Sequence, residues 1–173
     1  MKKLFAFLTT ILFISHMQAQ NSNENIIKEW QQAKTYTKEY LDAMPETGYA
    51  LKPTKEMRSF AAQFLHLSDA IYGFVASATD EKPPFGFGEM EKSNDENKAS
   101  VTNKVMAAYD FAINAIKKYP TQNLPQTVKL FGRFDMSRQL AIEKCFEHQT
   151  HHRGQATVYL RLAGATPPAE KLF

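Results

Sequence analysis

The sequence of 173 residues is short enough for one hydrophobic core, and its 43% hydrophobic and 23% charged residues are typical of a folded globular protein. With 21 basic and 18 acidic residues the net charge is only +3, and no run of basic residues is interleaved with aromatic ones, so nucleic-acid binding is not expected. The single cysteine, Cys145, excludes an internal disulfide and any CxxC zinc motif.

The first residues have the order of a secretory signal peptide. Lys2 and Lys3 precede an apolar stretch of eleven residues, and a more polar segment ends at Ala19. Eleven residues of helix span about 16 Å, roughly half the hydrocarbon core of a bilayer, so a membrane anchor is disfavoured. We therefore predict a signal peptide over residues 1–19, a single domain over residues 20–173, no stable membrane span after cleavage, and export to the periplasm or the exterior. Cleavage leaves the mature chain close to neutral.

Apolar residues recur at alternating steps of three and four along the first half of the mature chain, which is the spacing of amphipathic helices. The first stripe runs over residues 26–44, and its helix is expected to end before Pro45. The second stripe, over residues 57–78, follows a linker, and Thr54 is the predicted N-cap of its helix.

The second half of the chain repeats this pattern after a loop. A polar stretch with two adjacent prolines predicts the loop over residues 80–97, and its segment 85–88 is either a lid or an ordinary connection. A third helix is expected over residues 98–119. After further prolines, residues 128–134 fit a short extended piece or a hairpin.

The fourth helix is expected to begin at an N-cap, Asp135 or Ser137, and to reach Ala163 before a glycine and two prolines. Four amphipathic helices without a long alternating strand pattern predict an all-α fold, a four-helix bundle. A homodimer formed through the first and second helices stays open at this point.

Four histidines remain in the mature chain, with His66 on the second predicted helix and three more on the fourth. His148 and His152 are four residues apart, so their rings lie one turn apart on one face and can converge on a single ion. His151 would form an alternative pair with His148 at a spacing of three. Spacing alone does not choose between the pairs, although His152 shares the stripe of Cys145.

The face of the second helix around His66 is lined by small residues. Such a face either receives another backbone at close range or leaves a cavity open. An unpaired ring nitrogen buried there would cost ~1–3 kcal/mol, and a metal ion would relieve that cost. The small residues are Ser59, Ala62, Ala70, Gly73 and Ser77.

Two segments of the sequence resemble a known family. From His148 the chain reads HxxxHRGQ and continues with a tail of the form LR…G…PP, which closely resembles the last helix of the DinB/YfiT-like superfamily of metalloenzymes. Residues 64–70, which surround the second-helix histidine, resemble that family's corresponding segment. The resemblance covers essentially the whole mature chain.

The resemblance implies a four-helix bundle in which one divalent metal ion, usually zinc or nickel, is held by His66, His148 and His152. His151 and Arg153 match motif positions that are not assigned as ligands. Family members with known activity include thiol-dependent transferases and isomerases, which activate a low-molecular-weight thiol at the metal.

Three neutral histidine ligands leave one coordination position open, as catalytic metal sites do, and water bound there would have a pKa near ~7. We therefore predict an exported metal-dependent hydrolase or thiol-dependent transferase that acts on a small-molecule substrate. Export disfavours the thiol chemistry, because small thiols are scarce and oxidised outside the cell. The alternatives are a metal-binding or stress-related binding protein without turnover, and a purely structural bundle.

Further polar residues near the histidines are weaker candidates. Asp69 could accept a hydrogen bond from the second-helix histidine, or be a solvated helix charge. Glu147 is a candidate general base, although its place on the helix is about 100° from the neighbouring ligand. Tyr159 and Gln155 share the histidine stripe, with core packing favoured for the tyrosine. Cys145 is either an extra soft ligand or an ordinary core residue.

Overall fold

The computed structural model describes residues 24–171, which form four helices and one small two-stranded sheet. The helices are α1 (residues 24–43), α2 (Phe60–Thr79), α3 (Lys98–Lys118) and α4 (Arg138–Leu162), and the strands are β1 (Thr127–Leu130) and β2 (Phe134–Ser137). The predicted four helices are confirmed, and the segment expected to be a short extended piece or a hairpin is a hairpin. The predicted signal peptide lies outside the described residues. None of the helices in the described range is long and apolar enough to cross a membrane.

Helix α2 packs against both α3 and α4, and α1 closes the bundle on the other side. The ring of Trp30 on α1 contacts Tyr109 of α3 and Phe146 of α4, with centroid distances of 5.9 and 5.6 Å. The Thr37 hydroxyl lies 2.8 Å from the hydroxyl of Tyr109. This arrangement leaves α2 and α4 side by side, so the histidines of the two helices face each other.

The predicted apolar stripes form the core. On α2, Phe60, Phe64 and Ile71 are fully buried, and the first two rings contact each other at 4.8 Å. Tyr49 from the connection between α1 and α2 packs on Phe60 at 5.1 Å. Burial of each large apolar side chain contributes roughly 1.5–3 kcal/mol, so the two stripes supply much of the stability of the fold.

The start of α2 differs from the prediction. Thr54 is not its N-cap: the helix begins at Phe60, and the Ser59 hydroxyl accepts a hydrogen bond from the Ala62 amide at 3.1 Å. The intervening residues turn because the Phe60 amide donates to the carbonyl of Leu51 at 3.0 Å, which ties the helix start back to the linker. This later start places Arg58 just outside the helix, beside the histidines.

The other helix starts follow the capping rules. Asn97 caps α3 by accepting from the Ser100 amide at 2.9 Å. Of the two candidates for α4, Ser137 is the cap, since its hydroxyl accepts from the Leu140 amide at 3.1 Å. Asp135 instead lies within β2, opposite Lys129.

The segment between α3 and α4 is a true hairpin. Leu130 pairs with Phe134 across a turn in which Phe131 and Gly132 have φ values of 52° and 68°. A positive φ is strained for a phenylalanine. The Phe131 ring offsets that strain by packing on Phe74 of α2 at 4.9 Å.

Candidate metal centre

Three histidine side chains from α2 and α4 converge between the two helices. One ring nitrogen from each of His66, His148 and His152 lies within 4.8 Å of the others. The ring centroids of His66 lie 5.3 Å from His148 and 4.7 Å from His152, and the two α4 rings are 4.3 Å apart. The structure therefore brings together the three histidines that the family resemblance implies as ligands, and of the two spaced pairs on α4 it brings His148 and His152 to His66.

The two α4 rings approach each other through like atoms. Nε2 of His148 and Nε2 of His152 are 3.1 Å apart, so in the metal-free chain one of them must carry the proton that the other accepts. Two nitrogens bound to one tetrahedral ion at 2.0–2.1 Å would be separated by about 3.3 Å. The pair is thus close to the spacing that a shared ion requires.

Both α4 histidines are held in the neutral form, which is the form that binds metal. Burial lowers the pKa of His148 to about 4. Electrostatic repulsion from the nearby His66, His151 and Arg58 side chains acts in the same direction. For His152, burial and then the neighbouring His148 lower the pKa to about 3. Lone pairs on these rings are therefore available well below neutral pH.

His66 is oriented by a carboxylate from the loop between α2 and α3. Its Nδ1 lies 3.0 Å from Oε2 of Glu91, and the other carboxylate oxygen accepts from Arg58 at 2.6 Å. Donation from Nδ1 to Glu91 leaves Nε2 of His66 as the free donor atom for an ion. Arg58 and Glu91 were both missed by the sequence analysis.

Asp69 holds that loop rather than the histidine. Its side chain is buried, and its two oxygens accept from the backbone amides of Gly88 at 3.1 Å and Glu91 at 2.5 Å. Asp69 is thus neither a direct partner of His66 nor a solvated charge, the two alternatives from the sequence: it fixes the backbone of Glu91, and Glu91 contacts the ring.

His152 is oriented from α2 by an amide. The Gln63 side-chain nitrogen lies 2.8 Å from Nδ1 of His152, and the same nitrogen donates to Oε1 of Gln155. Gln155 in turn contacts Nε2 of His151 at 2.8 Å. His151 therefore lies outside the three-histidine cluster and at the exposed end of a row of polar side chains.

His148 has one unsatisfied atom. Its Nδ1 is buried and has no hydrogen-bond partner among residues 24–171. Such atoms are rare in folded proteins and concentrate at functional sites. With Nδ1 protonated, the Nε2 lone pair of His148 faces the cluster, so the donor set of three neutral imidazoles fits a divalent ion.

Comparison with known proteins places the chain in a family. The family model described as DinB family matches residues 17–172. The chain belongs to the DinB family. Among curated proteins none matches this sequence.

Solved structures of DinB-like proteins share the fold. One from Bacillus cereus ATCC 10987 matches with a TM-score of 0.76 and 19% identity, over 86% of this chain and 97% of its own. The DinB-like protein YjoA of Bacillus subtilis matches with a TM-score of 0.68 and 16% identity, over 84% and 96% of the two chains. At these identities the likeness shows the fold alone.

The small-residue face of α2 has two different neighbours in this DinB-family chain. A Cβ at Gly73 would lie 2.6 Å from the Phe87 ring and 3.0 Å from that of Phe131, so the loop and the hairpin close over this end. At the other end, Ser59 and Ala62 line a cavity of about 440 Å³ beside Arg58. The segment 85–88 is thus packed on α2 at Phe87.

Of the remaining candidates, Glu147 and Cys145 do not join the three-histidine cluster. Glu147 is exposed and pairs with Lys144 at 2.6 Å. The Tyr159 hydroxyl donates to the carbonyl of Arg58 at 2.9 Å, which fixes the segment before α2. Cys145 is a buried free thiol outside the three-histidine cluster, and burial raises its pKa, so it is packed as a neutral core residue.

The depressed histidine pKa values predict acid sensitivity of the metal-free protein. Above pH 6.5, the pKa of histidine in the unfolded chain, His148 and His152 are neutral in both the folded and the unfolded protein. Below pH 6.5 the two histidines bind protons in the unfolded chain, but in the folded protein they do so only near their lowered pKa values of about 4 and about 3. Lowering the pH from about 7.5 to about 5 should therefore cost roughly 2 kcal/mol after allowance for solvent screening, or about 5 °C in Tm. The measurement is the Tm from thermal unfolding at the two pH values, with a chelator present to keep the protein free of metal.

The control for this acid sensitivity is the double variant His148→Gln/His152→Gln. It should lose most of the change in Tm over the same pH interval. An unchanged dependence on pH in the double variant would contradict the assignment.

Proposed function

We propose that this DinB-family protein binds one divalent metal ion through His66, His148 and His152. The observation that carries the proposal is the convergence of three ring nitrogens to within 4.8 Å. An all-imidazole donor set suits zinc, nickel or another transition metal rather than magnesium or calcium, which prefer oxygen ligands. Zinc or nickel is the proposed ion.

The proposed activity is hydrolysis of a small-molecule substrate. An ion held by three protein ligands would keep one coordination position open. It would supply Lewis acidity at that position and lower the pKa of a coordinated water toward ~7. The chain's own part is to hold the two α4 imidazoles neutral, and to orient His66 through Glu91 and His152 through Gln63. A thiol-dependent transferase would use the same open position, but a compartment poor in small thiols favours hydrolysis.

One observation favours a metal-binding protein without turnover as the second candidate. The two carboxylates that neighbour the histidines are both engaged, Glu91 by Arg58 and His66, and Asp69 by two backbone amides. A general base must be within reach of the proton it abstracts and free to take it. The substrate screen described below separates the two candidates.

Export is proposed on the sequence order of residues 1–19 alone. It places the metal site in an exterior or periplasmic compartment. It also agrees with the use of histidine rather than cysteine ligands, because imidazoles are not oxidised to disulfides.

The test is to produce the full chain with its N-terminus intact in a bacterial host and to recover it from the cell envelope and medium. Intact mass should show loss of residues 1–19, and elemental analysis should give about one divalent ion per chain. Ester, amide, phosphate and thiol-conjugate substrates are then screened with and without chelator. Turnover abolished by chelator supports the enzyme, and tight metal without turnover supports the binding protein. Absence of stoichiometric metal overturns both.

A further inference from the structure

A second polar site lies on the opposite side of α4 from the histidines. A cavity of about 550 Å³ opens between α1, α4 and the tail that follows α4. It is lined by residues of the fourth-helix segment that the metal site does not use, including Arg153 and Arg161. Its volume is typical of a small-molecule site.

The floor of this cavity is a buried guanidinium. Arg153 is only 6% exposed, and its charge lies above the ring of Tyr36 at 4.5 Å. Its Nη1 donates a hydrogen bond to the side-chain oxygen of Gln149 at 2.9 Å. The same atom donates at 3.5 Å to the Thr37 hydroxyl and to the Ala33 carbonyl. Within residues 24–171, Nε and Nη2 of Arg153 have no protein acceptor, and no carboxylate pairs with the charge.

The charge of Arg153 is only partly compensated, because within the described part of the chain its hydrogen bonds all go from one nitrogen, Nη1, to neutral groups. Taking a cation out of water costs several kcal/mol unless an opposite charge or hydrogen bonds replace the water. The free edge of Arg153, Nε with Nη2, is the fork that binds a carboxylate or phosphate through two parallel hydrogen bonds. The structure thus presents, inside a cavity, a positively charged pair of hydrogen-bond donors on Arg153 without a negatively charged partner among the described residues.

The walls suit the same kind of ligand. Arg161 adds a second positive charge, against the single carboxylate of Glu170. The Tyr40 hydroxyl lies 2.9 Å from that of Thr157. Burial raises the pKa of Tyr36 to about 12, so the Tyr36 hydroxyl stays protonated and can donate. Lys171 forms an ion pair with Glu39 of α1. This pair links α1 to the tail after α4, which forms one wall of the cavity.

We propose that this cavity, which we call the Arg153 pocket, binds a small organic oxyanion, a carboxylate or phosphate ester, with its charged group on the free edge of Arg153. The site is separate from the metal centre. Arg153 points to α1, whereas its neighbour His152 points to α2. The proposal therefore stands or falls independently of the metal.

The test is titration of the full chain with inorganic phosphate and with benzoate, against chloride at equal ionic strength, by calorimetry and amide chemical shifts. Saturable binding with a dissociation constant of about 1 mM or tighter is expected for at least one probe. Preference for benzoate indicates a carboxylate ligand, and preference for phosphate indicates a phosphate ester. Protein freed of metal by a chelator should bind the probes as the untreated protein does, which excludes capture of the anion at the metal.

Arg161→Gln is the informative variant, because its side chain lines the pocket without the buried contacts of Arg153. We expect it to weaken binding about 10-fold, and Arg153→Lys, which keeps the charge but loses the fork, to weaken it further. Arg133→Gln removes the same charge from the hairpin and should change nothing. No saturable binding of either probe, or an equal loss in Arg161→Gln and Arg133→Gln, overturns the proposal and leaves Arg153 as a structural tie between α1 and α4.

Discussion

Replacing His152 by alanine is expected to abolish stoichiometric metal binding, whereas replacing its neighbour His151 is expected to preserve it. Removal of an outer partner of a metal ligand costs about 10- to 100-fold in affinity, so loss of a ligand itself should cost about 100-fold or more. His151 lies outside the cluster and contacts Gln155, so His151→Ala should stay within a few-fold of the parent. The two residues are adjacent on α4, which makes them a matched pair.

The measurement is metal content after gel filtration, with affinity from competition against a chelator. Binding should also appear as stabilisation: an ion at 100 times its dissociation constant adds about 2.7 kcal/mol, or roughly 5–10 °C in Tm. His152→Ala should show no such rise, and circular dichroism checks that it folds. His152→Gln serves if the alanine variant unfolds. Loss of metal in His151→Ala instead would mean that the ion is held by the alternative pair, His148 and His151.

The features of this protein that could be predicted from the sequence are those set by local, repeating spacing along a helix. The apolar spacing that defines α1 and α2, and the spacing of four between His148 and His152, depend only on helix geometry, so both were accessible without a structure. The small residues around His66 indicated that something packs close. They did not indicate what, and the structure places the rings of Phe87 and Phe131 over Gly73.

The residues that orient the ligands were not predictable in the same way. Glu91 reaches His66 because Asp69 binds two amides of a loop that has no periodic pattern, and that contact joins residues 22 apart. Arg58 reaches the same carboxylate because α2 starts at Phe60 rather than after Thr54. Gln63 did carry a signal, because it is a polar residue three positions after Phe60 and next to Phe64, both of which belong to the predicted apolar stripe.

Gln63 is expected to control how tightly the metal centre binds its ion. For His152 to bind an ion through Nε2, its Nδ1 must carry the proton and needs an acceptor. In the structure the Gln63 amide presents its nitrogen to that atom at 2.8 Å, with Nδ1 as the acceptor. Metal binding therefore requires the Gln63 amide to turn its oxygen toward His152.

This turn is transmitted along the row of polar side chains. Gln63 now donates to Gln155, so a reversed Gln63 needs Gln155 to reverse as well and donate in return. The oxygen of Gln155 then faces Nε2 of His151, which must donate, and His151 is exposed enough to exchange its proton with solvent. The reversed row satisfies every member, which makes it a consistent partner for the loaded site.

Gln63→Leu should consequently weaken metal binding about 10- to 100-fold, because the buried Nδ1–H of His152 loses its acceptor. Gln63→Glu should restore binding to the parent level or better, since a carboxylate accepts from His152 without having to turn. Chelator competition measures both affinities, and the apo-state Tm of each variant separates a loss of affinity from a loss of stability. Equal weakening in Gln63→Leu and Gln63→Glu would contradict this role, because both variants keep the size of the side chain and only one keeps the acceptor.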